Sequence, residues 1–163
     1  MNILTFPNPI LLLACAPVTS FDDALKAQLD EMWETMVAAE GMGLAANQVG
    51  ILHRMFVMTD TDGSKVYAVN PVILLRSQVP ANKPEGCLSA PGEFLELDER
   101  ADWVQVEYQD ENGAQHRKVF HGIHSVCIQH EIDHLDGKTH LLSPTLSSKD
   151  RKMLAKKWGL KLK

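Results

Sequence analysis

The feature that most limits what this chain can fold into is a pair of histidines on an apolar segment. His130 and His134 are four residues apart, and Glu131 directly follows the first of them. Residues 123–136 are apolar on several sides, which predicts a central helix that ends at Gly137. At this spacing both imidazole rings share one helix face and can reach one metal ion. Because unpartnered polar groups are costly inside a protein, the pattern predicts a metal site with Glu131 as general base.

A catalytic metal site needs a third protein ligand, and the sequence offers two candidates. His140 would complete the spacing His130-x3-His134-x2-Gly137-x2-His140, which is typical of the metzincin proteases. Those proteases also need a methionine-bearing turn well downstream, and only 23 residues follow His140. Cys87 would bind as a thiolate, which is a stronger donor. We therefore favour Cys87 and keep His140 as the alternative.

Composition favours one domain without a membrane span. The chain has 163 residues, a formal net charge of −5, and 45% apolar and 23% charged side chains. These values exclude a disordered chain, and no run approaches the roughly 20 apolar residues of a transmembrane helix. Cys15, Cys87 and Cys127 are too widely spaced for a disulfide framework, which indicates a reducing compartment. We expect a single cytoplasmic domain over residues 1–163.

Two further helices are predicted on either side of the central one. A helical stripe begins at Phe21, with Ser20 as the expected cap and Gly41 as the stop. A third, basic helix is expected from residue 147 or 148 to about residue 158. These helices would flank the chain's strands at its N-terminal and C-terminal ends.

Short strands fill the sequence between the helices. Asp62-Gly63 and Asn112-Gly113 predict hairpin turns, and Asn70-Pro71 predicts an interruption. The expected strands are 55–59, 65–69, 72–75, 104–109 and 115–120. The fold class is therefore α+β, with mixed, largely antiparallel, short-stranded sheets packed around a central metal-binding helix.

Three segments together resemble the signature motifs of the peptide deformylase family. In chain order they are Gly41-Met42-Gly43-Leu44-Ala45-Ala46-Asn47-Gln48, Glu85-Gly86-Cys87-Leu88-Ser89 and Gln129-His130-Glu131-Ile132-Asp133-His134. Their order and separations fit as well, and the resemblance extends from Ile3 to about Ser143.

The resemblance implies a metal-dependent hydrolase that removes the N-terminal formyl group from formyl-methionyl peptides. Its products are formate and a free N-terminal methionine. Iron(II) is the metal most often used in this family, and zinc, nickel or cobalt can replace it. A water molecule on the metal is the nucleophile, and Glu131 matches the acid/base. The Gln48 side chain and the Leu88 backbone N–H match the donors that hold the formyl oxygen. The implied metal ligands are Cys87, His130 and His134.

The resemblance also implies an apolar pocket for the methionine side chain. The positions that match its lining are Met42, Ile123, Val126 and Cys127. These four residues could equally be ordinary core, because pocket walls and core look alike in sequence. Gly43 and Gly86 would let the peptide backbone approach closely, as an added strand requires.

Several positions depart from the family pattern. Leu12 stands where arginine is frequent, His124 where an apolar residue is usual, and His140 where phenylalanine is common. Residues 90–100 have a composition of their own. None of these positions is an implied metal ligand, Glu131 or Gln48, so the departures bear on substrate preference rather than on activity.

The charge of the chain is unevenly distributed. Residues 149–163 hold seven basic side chains and one acidic one, a net charge of +6, and the rest of the chain carries −11. In some bacterial deformylases the C-terminal helix docks on the ribosome, and this basic segment is compatible with such a contact. Two other functions stay open at this point: a metzincin-like metalloprotease using His140, and a non-catalytic module that binds formylated peptides.

Overall fold

The fold places one five-stranded sheet between two helices. A computed structural model describes residues 1–162. Its helices are α1 (Asp23–Ala38), α2 (Gly122–Leu135) and α3 (Ser148–Trp158), with short 3-10 turns at Pro9–Leu12, Ala46–Val49 and His140–Leu142. Its strands are β1 (Gly43–Ala45), β2 (Met55–Thr59), β3 (Lys65–Arg76), β4 (Pro84–Cys87), β5 (Ala90–Glu96), β6 (Trp103–Gln109) and β7 (Gln115–His121).

The strands form two antiparallel sheets. The larger sheet has the order β1-β2-β3-β6-β7, and β4 pairs only with β5. The turns at Gly63 and Gly113 have left-handed backbone, with φ of 81° at each, as the Asp-Gly and Asn-Gly pairs predict. The α+β prediction is confirmed. The prediction of a single domain over 1–163 remains a prediction, and Lys163 lies outside the described residues.

Strand β2 is buried on both faces of the sheet. Phe56 and Met58 pack in one core cluster with apolar residues of α2, whereas Met55 and Val57 pack in another cluster with α1. A strand covered on both sides needs apolar residues at consecutive positions rather than alternating ones. Packing against α1 and α2 holds β2 in place. Its neighbour in the sheet, β1, thereby lies in contact with α2.

Helix α1 begins two residues later than its hydrophobic stripe suggested. Asp22, not Ser20, is the N-cap, and its Oδ1 accepts a hydrogen bond of 2.9 Å from the Leu25 backbone N–H. A carboxylate at this position also interacts favourably with the positive end of the helix dipole. The buried face matches the stripe, with Leu29 and Met32 fully buried.

The expected interruption at Asn70-Pro71 is instead a bulge within one continuous strand. Strand β3 pairs with β6 on both sides of it, with a register shift between Val69 and Val72. Asn70 adopts left-handed backbone (φ 51°), and its side-chain amide bonds both the N–H and the C=O of Val18 at 2.8 and 2.9 Å. These side-chain bonds hold the bulge in place.

The β4–β5 hairpin was missed by the strand prediction. Its residues do not alternate between apolar and polar, and Pro84, Gly86, Pro91 and Gly92 indicate loop. The structure nevertheless pairs Glu85 with Leu95 and brings the end of β4 close to α2. No helix in residues 1–162 is long and apolar enough to cross a membrane.

Candidate active site

Three side chains from two distant segments meet beside α2. The Cys87 Sγ lies 3.2 Å from the His134 Nε2, which lies 3.1 Å from the His130 Nε2. The ligand atoms of all three residues lie within 4.8 Å of one another. Within residues 1–162, these three residues form the one group of histidine, cysteine or acidic side chains close enough to hold a metal ion. The structure thus places together the three residues that the sequence singled out as ligands.

The chemistry of this donor set fits a divalent cation. One sulfur and two imidazole nitrogens suit zinc and the later first-row metals. Burial lowers the pKa of His134, and the neighbouring His130 lowers it further. Burial also opposes protonation of His130, but Cys87 and Glu85 outweigh it and raise the pKa of His130. A divalent cation would supply positive charge where Cys87 and Glu85 already favour it on His130.

A buried ion network holds the outer side of His130. The Glu85 Oε1 lies 2.8 Å from the His130 Nδ1, and both Glu85 oxygens accept hydrogen bonds of 2.7 Å from Arg100. Arg100 also donates to Asp133 at 2.7 Å. Burial alone would raise the pKa of Glu85, but the bonds from Arg100 and His130 lower it to about 2. An ionised carboxylate on Nδ1 directs Nε2 toward the cluster.

Arg100 is a functional residue that the sequence did not reveal. It lies in the stretch 90–100 that departs from the family pattern, and no spacing rule links it to Glu85 or Asp133. Its side chain is only 3% exposed, and these two carboxylates compensate its buried positive charge. The sequence offered one clue, which was the presence of an arginine at position 100. A buried arginine requires an anionic partner, so it indicates an ion pair but not which carboxylates form it.

Glu131 occupies an apolar corner of the site. The residue is 4% exposed, and burial raises the pKa of its carboxyl to about 7. A Cβ atom at Gly43 would lie 2.6 Å from the Glu131 Oε1 and 2.7 Å from the Cys127 Sγ. Gly43 was predicted to make room for a peptide; in the structure it also makes room for this carboxyl group.

Gln48 presents its amide to the same space. Its Oε1 accepts a 2.9 Å hydrogen bond from the Ala45 N–H, which orients the side chain. Its Nε2 then lies 3.0 Å from the Ser89 Oγ and 3.6 Å from the Cys87 Sγ. The amide nitrogen therefore donates toward the sulfur of the cluster. Leu88, whose N–H was predicted to act beside it, lies in the turn between β4 and β5 and is half-buried.

A cavity of about 450 Å³ opens next to the cluster, and its walls include His130 and Glu131. Val126 is almost fully buried within it, whereas Ile123 is 51% exposed. Gly86, predicted to admit a peptide, lies against an aromatic ring, since a Cβ there would be 2.7 Å from Phe94. All of the residues predicted to line a substrate pocket border this cavity: Met42, Gly43, Gly86, Ile123, Val126 and Cys127.

His140 does not join the cluster. Its ring lies edge-on to His130 with 5.2 Å between the centroids, and it is not among the grouped ligand atoms. Burial, followed by the charge of His130, lowers the pKa of His140 to about 3, so the ring is neutral. The arrangement gives the metzincin-like alternative no support. Leu12 and His124, the other departures, lie outside the cavity lining.

The contact between Glu85 and His130 predicts that Glu85 contributes to metal affinity. Glu85→Gln keeps a similar shape but removes the charge that orients His130, so the dissociation constant of the metal should rise about 10–100-fold. Titration against a competing chelator measures it, and circular dichroism verifies folding. The matched control is Glu107→Gln, which breaks the exposed pair with Arg117 and should leave metal affinity unchanged. Equal affinities in wild type and Glu85→Gln would contradict this role.

Comparison with known proteins agrees with the geometry. The profile of the polypeptide deformylase family matches residues 1–150. A peptide deformylase-like protein of Agrobacterium fabrum is 42% identical over 156 residues, covering 96% of this chain and 93% of its own length. The peptide deformylase of Maricaulis maris is 43% identical over 140 residues, covering 83% and 80%.

Solved structures show the same likeness. The crystal structure of the Thermotoga maritima peptide deformylase superposes with a TM-score of 0.81 at 40% identity, covering 85% of this chain and 92% of that one. The helices and sheets of this chain therefore match those of a solved peptide deformylase. The chain belongs to the polypeptide deformylase family.

Proposed function

We propose that the cluster and cavity beside α2 are where this chain removes the formyl group from N-formylmethionyl peptides, the reaction of its family. In this proposal Cys87, His130 and His134 hold one divalent metal ion. The observation that carries it is a sulfur and two imidazoles grouped at the wall of an apolar cavity, with a buried carboxyl group beside them. Such a site has open space on the side where a substrate would enter.

The reaction adds water to the formyl carbon and breaks the bond from that carbon to the methionine nitrogen. When bound, the cation acts as a Lewis acid that activates the water and the carbonyl group. Glu131 takes up the proton released by the water and passes it to the departing amine. Burial raises the pKa of this carboxyl group to about 7, which supports this role because such a group exchanges protons readily near neutral pH.

Gln48 and Leu88 are assigned to the formyl oxygen. That oxygen gains negative charge as water adds, and fixed hydrogen-bond donors stabilise it. The Gln48 amide is already oriented by the Ala45 N–H, and the N–H that now points toward the Cys87 sulfur would turn to the formyl oxygen. The backbone N–H of Leu88, one residue beyond the sulfur ligand, is the second proposed donor.

The methionine side chain is assigned to the cavity. Met42, Val126 and Cys127 offer apolar or weakly polar surface to an unbranched thioether. Gly43 leaves the peptide backbone close access beside Glu131, because a side chain there would collide with the carboxyl group. The peptide backbone can therefore lie within contact distance of Glu131.

The identity of the metal and the compartment form part of the proposal. Thiolate and imidazole ligands accept iron(II), zinc, nickel and cobalt, and the family resemblance favours iron(II) as the native ion. All three cysteines are free, and Cys87 must remain a thiol or thiolate to act as a ligand. A reducing compartment such as the cytoplasm meets that need.

Replacing the proton carrier should stop the reaction without removing the metal. Glu131→Gln keeps the shape of the side chain but cannot accept a proton, so kcat should fall about 100–10,000-fold. Formate released from formyl-Met-Ala-Ser by anaerobically prepared, iron-loaded protein measures this. Glu96→Gln, at an exposed position on β5, is the control and should retain activity. A wild-type protein that binds the peptide tightly but releases no formate would instead be a binding module.

Metal content separates the two candidate third ligands. Cys87→Ala should contain almost no metal, whereas His140→Phe should retain about one ion per chain, because only the thiol belongs to the cluster. Elemental analysis of anaerobically purified protein gives both the amount and the element, which we expect to be iron. Loss of metal from His140→Phe, with retention in Cys87→Ala, would favour the protease. The phenylalanine fills the buried space that the imidazole occupies.

We also propose that α3 contacts the ribosome. The helix is anchored through Leu154 and Ala155, which are buried, while its basic side chains are largely exposed. A cationic helix on an otherwise acidic chain favours contact with a polyanion, and ribosomal RNA is the polyanion closest to a newly made formylated peptide. Lys157 is already paired with Glu93 at 2.6 Å, so the other lysines carry the proposed contact.

Sedimentation with ribosomes tests this contact. Reversing three charges on α3 should abolish a salt-sensitive association, because the helix supplies the cationic surface. A control with the same total charge change elsewhere should still sediment with ribosomes. Association that survives the α3 substitutions would contradict the proposal. The α3 set is Lys149→Glu, Lys152→Glu and Lys156→Glu, and the control set is Lys26→Glu, Arg76→Glu and Lys83→Glu.

A further inference from the structure

A second cavity lies against another face of α2. It has a volume of about 630 Å³, and no residue lines both cavities. His130 and Glu131 of α2 border the first cavity, whereas Ile132 and Asp133 border the second. We call the second cavity the α3 cleft, because Arg151 of α3 forms part of its wall. Removal of the formyl group makes no use of it.

Two departures from the family pattern meet in the α3 cleft. Leu12, where arginine is frequent, and His140, where phenylalanine is common, both line it. Neither residue borders the cavity that is assigned to the substrate. The cleft is therefore a part of this chain, separate from the proposed active site, in which its sequence departs from the family pattern.

Four basic side chains from separate parts of the chain line the α3 cleft. They come from the end of β3, the turn after α2, α3 itself and the segment after α3. None of them forms an ion pair with a partner in residues 1–162. Cations around one cleft repel one another, so a bound anion would stabilise the arrangement. The four side chains are Arg76, Lys138, Arg151 and Lys161.

The acidic side chains of the cleft compensate little of this charge. Asp133 is already paired with Arg100, and Asp136 is already paired with Arg54. Glu99 is the one acid in the described lining without a cationic partner, and its oxygens accept hydrogen bonds from two hydroxyl groups. Four unpaired cations against one unpaired carboxylate leave a net charge of +3 around the cleft.

Two arginines offer buried donors to an anion. The Arg151 Nε is buried and has no hydrogen-bond partner in the part of the chain that the structure describes. Arg100 is only 3% exposed, and its bonds to Glu85 and Asp133 use three of its five N–H donors. A buried donor without an acceptor is unfavourable. An anionic oxygen in the cleft would supply the acceptor that the Arg151 Nε lacks.

The remaining wall of the cleft is largely apolar. Its volume lies within the range of about 300–1,000 Å³ that is typical of sites for small organic molecules. A ligand that fills it therefore needs an apolar or aromatic part as well as a charged one. The apolar lining residues are Leu12, Ile73, Ile132, Leu142, Pro144 and Leu162.

We propose that the α3 cleft binds an organic diphosphate, in which a diphosphate group is joined to an aromatic or aliphatic group. A terminal phosphate loses its second proton near pH 6, so such a ligand carries about three negative charges at neutral pH and matches the unpaired side chains. Guanidinium groups bind phosphate oxygens through paired hydrogen bonds, which assigns the diphosphate to Arg151. The apolar wall receives the organic group.

Calorimetric titration of the metal-loaded protein at low ionic strength tests the site. The probes are ADP, geranyl diphosphate, inorganic phosphate and adenosine. One charge-assisted hydrogen bond is worth about tenfold in affinity, so ADP or geranyl diphosphate should bind at least that much more tightly than phosphate or adenosine. Tighter binding of ADP indicates an aromatic base on the apolar wall, and tighter binding of geranyl diphosphate indicates an aliphatic chain. Binding of an octauridylate RNA without binding of either diphosphate overturns the inference.

The Cys87→Ala variant shows whether the metal is responsible for binding. A diphosphate could also coordinate the ion held by the cluster, and this variant should lack that ion. Because the α3 cleft shares no lining residue with the first cavity, Cys87→Ala should bind the preferred diphosphate with an unchanged Kd. Loss of binding in Cys87→Ala overturns the inference.

Variants of the cleft assign the binding to its cations. Arg151→Gln should raise the Kd about tenfold, because it removes a charge and a buried donor. Lys138→Gln and Lys161→Gln, both at exposed positions, should each raise it about two- to fivefold, and they test the site even if Arg151→Gln folds poorly. The control is Lys149→Gln, an α3 lysine outside the cleft wall, which should bind like the wild type. An unchanged Kd in all three cleft variants, or an equal loss in the control, overturns the inference.

Discussion

The Glu85–Arg100 ion pair is the interaction on which the candidate site depends. It joins the β4–β5 hairpin, the segment before β6, and, through His130 and Asp133, helix α2. A buried charge without a partner is strongly unfavourable, so each member requires the others. The pair therefore fixes the hairpin relative to α2 and, with it, the position of Cys87 relative to the two histidines.

The sheet supplies the second constraint. Strand β2 is buried on both faces, with α1 on one side and α2 on the other. Strand β1 pairs with β2 and leads directly into Gln48 by way of the turn Ala46–Val49. Asn47 donates from its side chain to the His134 carbonyl at 2.6 Å, which ties this turn to α2. The Gln48 amide and the two histidines are thus held by packed elements rather than by flexible loops.

Much of this arrangement could be predicted from local patterns. The spacing of His130 and His134, the apolar stripe of α1 and the Asn-Gly turn each depend on residues close in sequence, where periodicity applies. The β4–β5 hairpin could not be predicted in this way, because its pairing depends on Arg100 and α2 rather than on alternation. The Asn70 bulge was likewise hidden, since the Val18 contacts that stabilise it lie 52 residues away in the chain. Long-range polar contacts leave no periodic signal in a single sequence.

The site divides into a part that cannot vary and a part that can. Around Glu131 and Gly43 the packing is so close that even one added carbon would collide with the carboxyl group. At the mouth of the cavity, by contrast, Glu40 and Phe94 are exposed lining residues that make no polar contact with the cluster. Substitutions at the mouth can therefore be made without moving the proposed ligands. The departures in residues 90–100 illustrate both cases: Phe94 faces solvent at the mouth, whereas Arg100 is buried and bonds Glu85, the carboxylate that contacts His130.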